Sequence, residues 1–104
     1  MNEKRLKELI EKNKIINDED DEAQKEIWDE MLLILSKNLN ETITYFDHAS
    51  KNEIYYISSV WDDLSEVFKS KELIECMKNN AKRTGVNCDV DIEYAIKAIT
   101  DSSN

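Results

Sequence analysis

Proline is absent from this 104-residue sequence, and Gly85 is its only glycine. Hairpin turns and irregular loops depend on these two residue types, whereas helix–helix connections can be made with Ser, Asn and Asp. A β-rich or α/β chain of this length is therefore not expected. We predict an all-α fold with a single domain over residues 1–104. Five or six antiparallel helices would form either a compact bundle or a short stack.

Long apolar runs and cysteine are also scarce. The longest fully apolar run, residues 31–35, is far shorter than the roughly 20 residues that a membrane-spanning helix needs. The N-terminal residues show no hydrophobic signal segment. Two cysteines, Cys76 and Cys88, are too few for a disulfide framework. We therefore expect a cytoplasmic protein with reduced thiols and no membrane partner.

Positive charge is the third scarcity. Fourteen basic residues stand against 23 acidic ones, which gives a formal net charge of −9. Direct nucleic-acid binding is not expected, because it needs a positive surface that faces the phosphates. The first predicted helix has more basic than acidic residues. The remaining residues, 15–104, hold twenty acids against nine bases. The negative charge therefore lies downstream of that helix.

Catalytic and metal-binding patterns are missing as well. His48 is the only histidine, and the two cysteines have neither CxxC spacing nor a neighbouring histidine. The acidic stretches that begin at residues 18 and 87 both fail the EF-hand pattern at its glycine and at its final glutamate. No glycine-rich phosphate loop is present. We predict no catalytic residue, no metal, no cofactor and no enzymatic activity.

Apolar residues at helical spacing predict the helices. The first, about residues 2–16, turns one stripe inward, namely Leu6, Leu9, Ile10 and Ile16. The second begins after an Asn/Asp-rich turn at residues 17–22, and because residues 31–35 are apolar on every side, we expect neighbours all round it. Near residues 38–40 the pattern weakens. A bend or short break and a straight continuation to residue 49 both fit, and we favour the break.

Later helix boundaries are predicted from capping residues. Ser50 and Glu53 have the spacing of a capping box, which starts a helix that runs to residue 68. Ser70 is the expected cap of the next helix, and Gly85 its left-handed end. Asp89 is expected to cap the last helix. The inward residues of that helix are predicted to be Ile92, Ala95, Ile96 and Ile99.

Two acidic segments are the candidate partner-binding surfaces. Residues 18–30 hold eight acids and one base. The predicted binding residues among these acids are Asp18, Asp20, Asp21, Glu22, Glu26, Asp29 and Glu30. Helix starts attract acids in any case, so a solvated helix face is the alternative interpretation.

The second segment lies on the helix that the capping box starts. Tyr55, Ser59, Asp62 and Glu66 follow a spacing of four, three and four residues, which places them on one face of an α-helix, and Tyr56 and Asp63 flank that face. An exposed tyrosine among carboxylates has the composition of a protein-binding hot spot. The alternative is a solvated face with the tyrosines tucked against a neighbouring helix.

Residues 35–99 resemble the small, acidic, all-helical immunity proteins of bacterial polymorphic toxin and contact-dependent growth inhibition systems. The segments that carry the resemblance are residues 40–43, 53–66, 70–76 and 91–95. The run Ile54-Tyr55-Tyr56 is also similar to the paired tyrosines of nuclease-colicin immunity proteins, although the proline and glycines usual around those tyrosines are absent here.

The resemblance implies a cytoplasmic inhibitor of one cognate toxin. A nuclease toxin fits best, because its phosphate-binding cleft is positive and an acidic surface would be attracted to it. Tyr55, Asp62, Asp63 and Glu66 are the expected anchors, with residues 18–30 as a steering rim. The alternative function is a non-catalytic adaptor or regulator that binds a cellular protein.

Overall fold

The computed structural model describes residues 1–16 and 19–102. Its α-helices, in chain order, are α1 (Glu3–Ile15), α2 (Asp21–Leu35), α3 (Leu39–His48), α4 (Lys51–Ile57), α5 (Trp61–Phe68), α6 (Lys71–Thr84) and α7 (Asp89–Ser102). A 3-10 helix, Ser58–Val60, joins α4 to α5 without a gap, so the described residues form six helical segments. These residues contain no β-strand. The predicted all-α fold of five or six helices is confirmed.

Most of the predicted helix boundaries are confirmed by capping contacts. Ser50 and Glu53 form the capping box of α4, the Ser70 hydroxyl accepts from the first turn of α6, and Gly85 ends α6 with a φ of 77°. The favoured break between the second and third helices is also present. The prediction for Asp89 is wrong: α7 begins at Asp89, whose amide donates to the Asn87 side chain, 3.1 Å away.

The helices pack as a closed bundle around one core. Contacts join helices that are far apart in sequence, as α1 packs on α4, α3 on α6 and α5 on α7, whereas in a stack each repeat would contact only its neighbours. The radius of gyration, 13.0 Å, is close to the value expected for a compact chain of this length. The largest fully buried side chains include Trp61, Tyr45, Phe46, Met31 and Leu6.

Two apolar residues predicted to be covered are exposed. Leu33 is 65% exposed, because α2 packs on α1, on the 3-10 helix and on α5 but leaves its remaining side open. Ile96 is 40% exposed, since α7 is packed mainly on α5 and α6. The prediction that α2 has neighbours all round is therefore wrong. Across the described ranges, no helix combines the length and apolarity that crossing a membrane requires.

Candidate protein-binding surface

The two acidic segments predicted from the sequence meet where α2 packs on α5. Asp63 of α5 is exposed, but partial desolvation of its carboxyl raises the pKa of that group. The negative charges of Asp62, Glu66 and Asp29 raise the same pKa further, which places the α2 carboxylate of Asp29 within electrostatic reach of α5. Segments more than thirty residues apart in sequence therefore contribute to one negatively charged surface.

Helix α7 adds a carboxylate that the sequence analysis did not include. Asp91 is half-buried, and this burial, together with the charge of Asp62, raises the pKa of its carboxyl. The buried Ser65 hydroxyl donates to the Ala95 carbonyl at 2.8 Å and so fixes α7 against α5. From sequence, Asp91 is simply an acid in a first helical turn, and only the packing of α7 on α5 brings it to this surface. We call Asp29, Asp62, Asp63, Glu66 and Asp91 the acidic surface.

Most of the acidic surface has no cation of its own. Asp29 pairs with Lys25 at 3.1 Å, and both side chains of this pair are well exposed. Within the described ranges, none of the other four carboxylates has a lysine or arginine nitrogen within 4.0 Å. The protein therefore holds these negative charges together without neutralising them.

The remaining acids of the first segment are used differently. Asp20 is the N-cap of α2 and accepts from the Ala23 amide at 3.1 Å. Glu30 accepts from two guanidinium nitrogens of Arg5, one at 2.9 Å, and this ion pair lowers the pKa of Glu30 and ties α1 to α2. Asp21, Glu22 and Glu26 are exposed on the first two turns of α2. Asp18 lies outside the described residues.

The two predicted tyrosines differ in exposure. Tyr55 is 60% exposed. Tyr56 is half-buried, and the Lys14 ammonium lies 5.9 Å from its ring centroid. The two rings are nearly perpendicular, with centroids 5.0 Å apart. Tyr55 therefore matches the exposed aromatic residue that was predicted, whereas Tyr56 in part matches the alternative of a tyrosine packed against a neighbouring helix.

The helix that carries the tyrosines is not continuous, which corrects the predicted geometry of its outer face. The buried Ser58 hydroxyl donates back to the Tyr55 carbonyl at 2.9 Å, a bond of the type that bends helices. The 3-10 helix there winds by about 20° more per residue than an α-helix, so the two ends are rotated by roughly 60° relative to an unbroken helix. Ser59 and Glu66 remain exposed and Asp62 is half-buried.

Other reactive side chains are engaged in structural contacts. Cys76 and Cys88 are buried, and both are free thiols. Burial, and then the charge of Asp47, raise the pKa of the Cys76 thiol to about 12, which keeps it protonated. His48 is exposed at the end of α3, where its Nε2 lies 3.0 Å from a Glu3 carboxylate oxygen. No group of three or more His, Cys, Asp or Glu residues in the described ranges is arranged to hold a metal ion.

Comparison of this chain with protein-family models, with curated proteins and with solved structures gives no match. No relative therefore indicates which residues act or on what. A functional hypothesis has to rest on the acidic surface and the tyrosines beside it.

Proposed function

We propose that this protein is a bacterial immunity protein that binds and neutralises one cognate toxin, a basic nuclease, in the cytoplasm. The toxin would belong to a polymorphic toxin or contact-dependent growth inhibition system. One observation carries the proposal. Carboxylates from α2, α5 and α7 converge on one surface, and among the described residues four of them have no lysine or arginine nitrogen within 4.0 Å.

The charge arrangement supports a partner that is a positively charged protein. Bringing like charges together destabilises a free protein, so retaining them is explained most simply by a partner that supplies the missing cations. A nuclease must hold phosphates and therefore presents a positive cleft. Electrostatic attraction between such surfaces accelerates association and selects the partner.

The tyrosines supply the apolar contact that charge alone lacks. Tyr55 offers a rigid, amphipathic ring that is 60% exposed, of the kind that dominates binding energy when it enters a partner's pocket. We assign the direct contacts to Tyr55, Ser59 and the acidic surface, with Tyr56 supporting Tyr55 from behind. Asp20, Asp21, Glu22 and Glu26 would form the outer rim, where charge affects the association rate more than the affinity.

The size of the protein allows such an interface. A standard protein–protein interface buries about 800 Å² on each partner. The accessible surface of this protein is 6441 Å². Such an interface would cover about an eighth of it, which is compatible with the extent of three neighbouring helices.

A growth-protection assay with a double variant tests the proposal. The product of the gene adjacent to this one is expressed in cells that carry either the wild type or the Tyr55→Ala, Asp62→Ala variant. We expect the wild type to protect and the variant to fail, while the helical circular dichroism signal stays unchanged. Tyr55 is exposed, Asp62 is half-buried and neither belongs to the buried core, so the fold should persist.

The matched control is the double variant Glu72→Ala, Glu75→Ala, which removes two exposed acids from α6. It should protect as well as the wild type. Equal toxin affinity of the wild type and the Tyr55→Ala, Asp62→Ala variant would remove this face from the proposal. If the protein instead associates with a housekeeping protein and gives no protection, the adaptor function applies.

A further inference from the structure

A groove of about 370 Å³ lies beside the acidic surface, between the tyrosines and the start of α7. Four parts of the chain form it: the end of α1, the first turn of α2, the α4–3-10 junction, and the connection from α6 into α7. Its lining includes Tyr55, Tyr56, Ser59, Asn87 and Asp91. The groove therefore has an aromatic wall, the two tyrosine rings, and its lining also holds a carboxylate together with hydroxyl and amide groups.

The aromatic wall is suited to a cation. Lys14 already places its ammonium 5.9 Å from the Tyr56 ring centroid, so one ring of the groove has a positive group over it. The Tyr55 ring is more exposed and has no cation over it in the described residues. It is open to a positively charged group from a partner.

The charge balance of the groove leaves one carboxylate uncompensated. Among the described residues, Lys14 is the only lysine or arginine that lines the groove, and its ammonium lies 2.8 Å from a Glu11 oxygen. Asp91 is half-buried, has no ion pair in the described chain, and lies near the charge of Asp62. A cation that entered the groove would relieve this repulsion, whereas an anion would meet the Asp91 carboxylate and the nearby charge of Asp62.

We propose that this groove receives an arginine side chain from the surface of the protein partner, with the guanidinium paired to Asp91 and its flat face against Tyr55. The inference rests on the proposed function in that the partner is taken to be a basic protein. Arginine fits better than lysine, because a guanidinium can stack on a ring and donate two parallel hydrogen bonds to a carboxylate at the same time. Asn87 and Ser59 offer further acceptors along the groove.

Nuclear magnetic resonance with small probes tests the groove without the toxin. The ¹⁵N-labelled protein is titrated with N-acetyl-arginine methylamide, with the lysine analogue, and with the citrulline analogue, which has nearly the shape of arginine but no charge. We expect saturable amide shifts at residues 55, 59, 87 and 91 with arginine, smaller shifts with lysine and none with citrulline. Asp91→Asn should weaken arginine binding about fivefold, the effect of one partly exposed ion pair.

Two further variants make the result decisive. Because Asp91 is in the first turn of α7, its replacement could fray that helix, so Ser59→Phe provides a second test by filling the groove from the 3-10 helix. It should abolish the arginine shifts. Glu75→Gln, an acid far from the groove on α6, should leave them unchanged. Equal shifts with citrulline, or arginine shifts unaffected by both groove variants, would overturn the assignment.

Failure of this inference can be distinguished from failure of the proposed function. A protein that protects against its toxin but shows no arginine-specific shifts would refute the groove assignment and leave the proposed function standing. Arginine-specific shifts in a protein that gives no protection would support the groove as a guanidinium site and refute the immunity function.

Discussion

Repulsion among the carboxylates of the acidic surface should lower the stability of the free protein. The substitution Glu66→Lys is the sharpest test of this destabilisation. Glu66 is on the exposed side of α5, three residues after Asp63 and four after Asp62. Like charges at these spacings on a helix repel each other. Glu66 is also in the last turn of a helix that ends at Phe68, where the helix dipole disfavours a negative charge.

The magnitude follows from these neighbours. The substitution converts two repulsive pairs into attractive ones, each change being worth a few tenths of a kcal/mol. A cation near the carboxyl end of α5 adds about 0.3–1 kcal/mol. After allowance for solvent screening, we expect the free energy of unfolding to rise by about 1 kcal/mol at low ionic strength. For a chain of this size, this corresponds to a rise in Tm of about 5 °C.

Urea unfolding followed by circular dichroism, at low and at high salt, measures the effect. The control is Glu75→Lys, which changes the net charge equally but breaks the pair with Lys78, whose nitrogen lies 3.6 Å from the Glu75 carboxylate. It should lower stability slightly. If Glu66→Lys is no more stable than Glu75→Lys at low salt, or if its gain does not shrink at high salt, the repulsion argument is wrong.

Two further predictions concern stability. Asn80 is 2% exposed, accepts from the Arg83 guanidinium at 2.8 Å and donates to the Asp47 carboxylate at 2.9 Å. Asn80→Ala should therefore lower the free energy of unfolding, measured in urea, by about 1–3 kcal/mol. An unchanged urea midpoint would show that these hydrogen bonds do not stabilise the fold. The hydrogen bond to Glu3 raises the pKa of His48. The stabilisation that this hydrogen bond gives the folded protein should therefore be present below the unfolded-state pKa of about 6.5 and be lost as the pH rises through the folded-state pKa. The wild type should accordingly exceed His48→Gln in Tm more at pH 5.5 than at pH 8.5, and parallel pH profiles would contradict this.

Local chemistry explains why the helix boundaries were predictable. A capping box such as Ser50 with Glu53 is satisfied within four residues, and the left-handed end of α6 falls on Gly85, the residue type that adopts this conformation without strain. Neither depends on what the rest of the chain does. The apolar stripe of α1 was predictable for the same reason, since helical spacing alone sets which side chains share a face.

Features that depend on tertiary packing were not predictable. Asp91 reaches the acidic surface only because α7 packs on α5, and helical spacing and capping patterns do not indicate which helices pack together. The 3-10 helix depends on the hydrogen bond from Ser58 to the Tyr55 carbonyl, which competes with regular helix geometry. Leu33 was expected to be covered because α2 is apolar on every side. That pattern indicates burial only where other helices cover the surface, and the side of α2 that carries Leu33 is open.

Whether the acidic surface binds a basic protein partner can be tested by co-purification of the protein expressed from its native operon, at low and at high salt, with mass spectrometry of whatever is bound. We expect one basic protein, encoded by the adjacent gene, that is retained at low salt, is released as salt rises, and is lost when Asp62 and Asp63 are replaced by asparagine. Recovery of no basic protein at low salt, or a partner whose binding ignores both the salt and these substitutions, would contradict it.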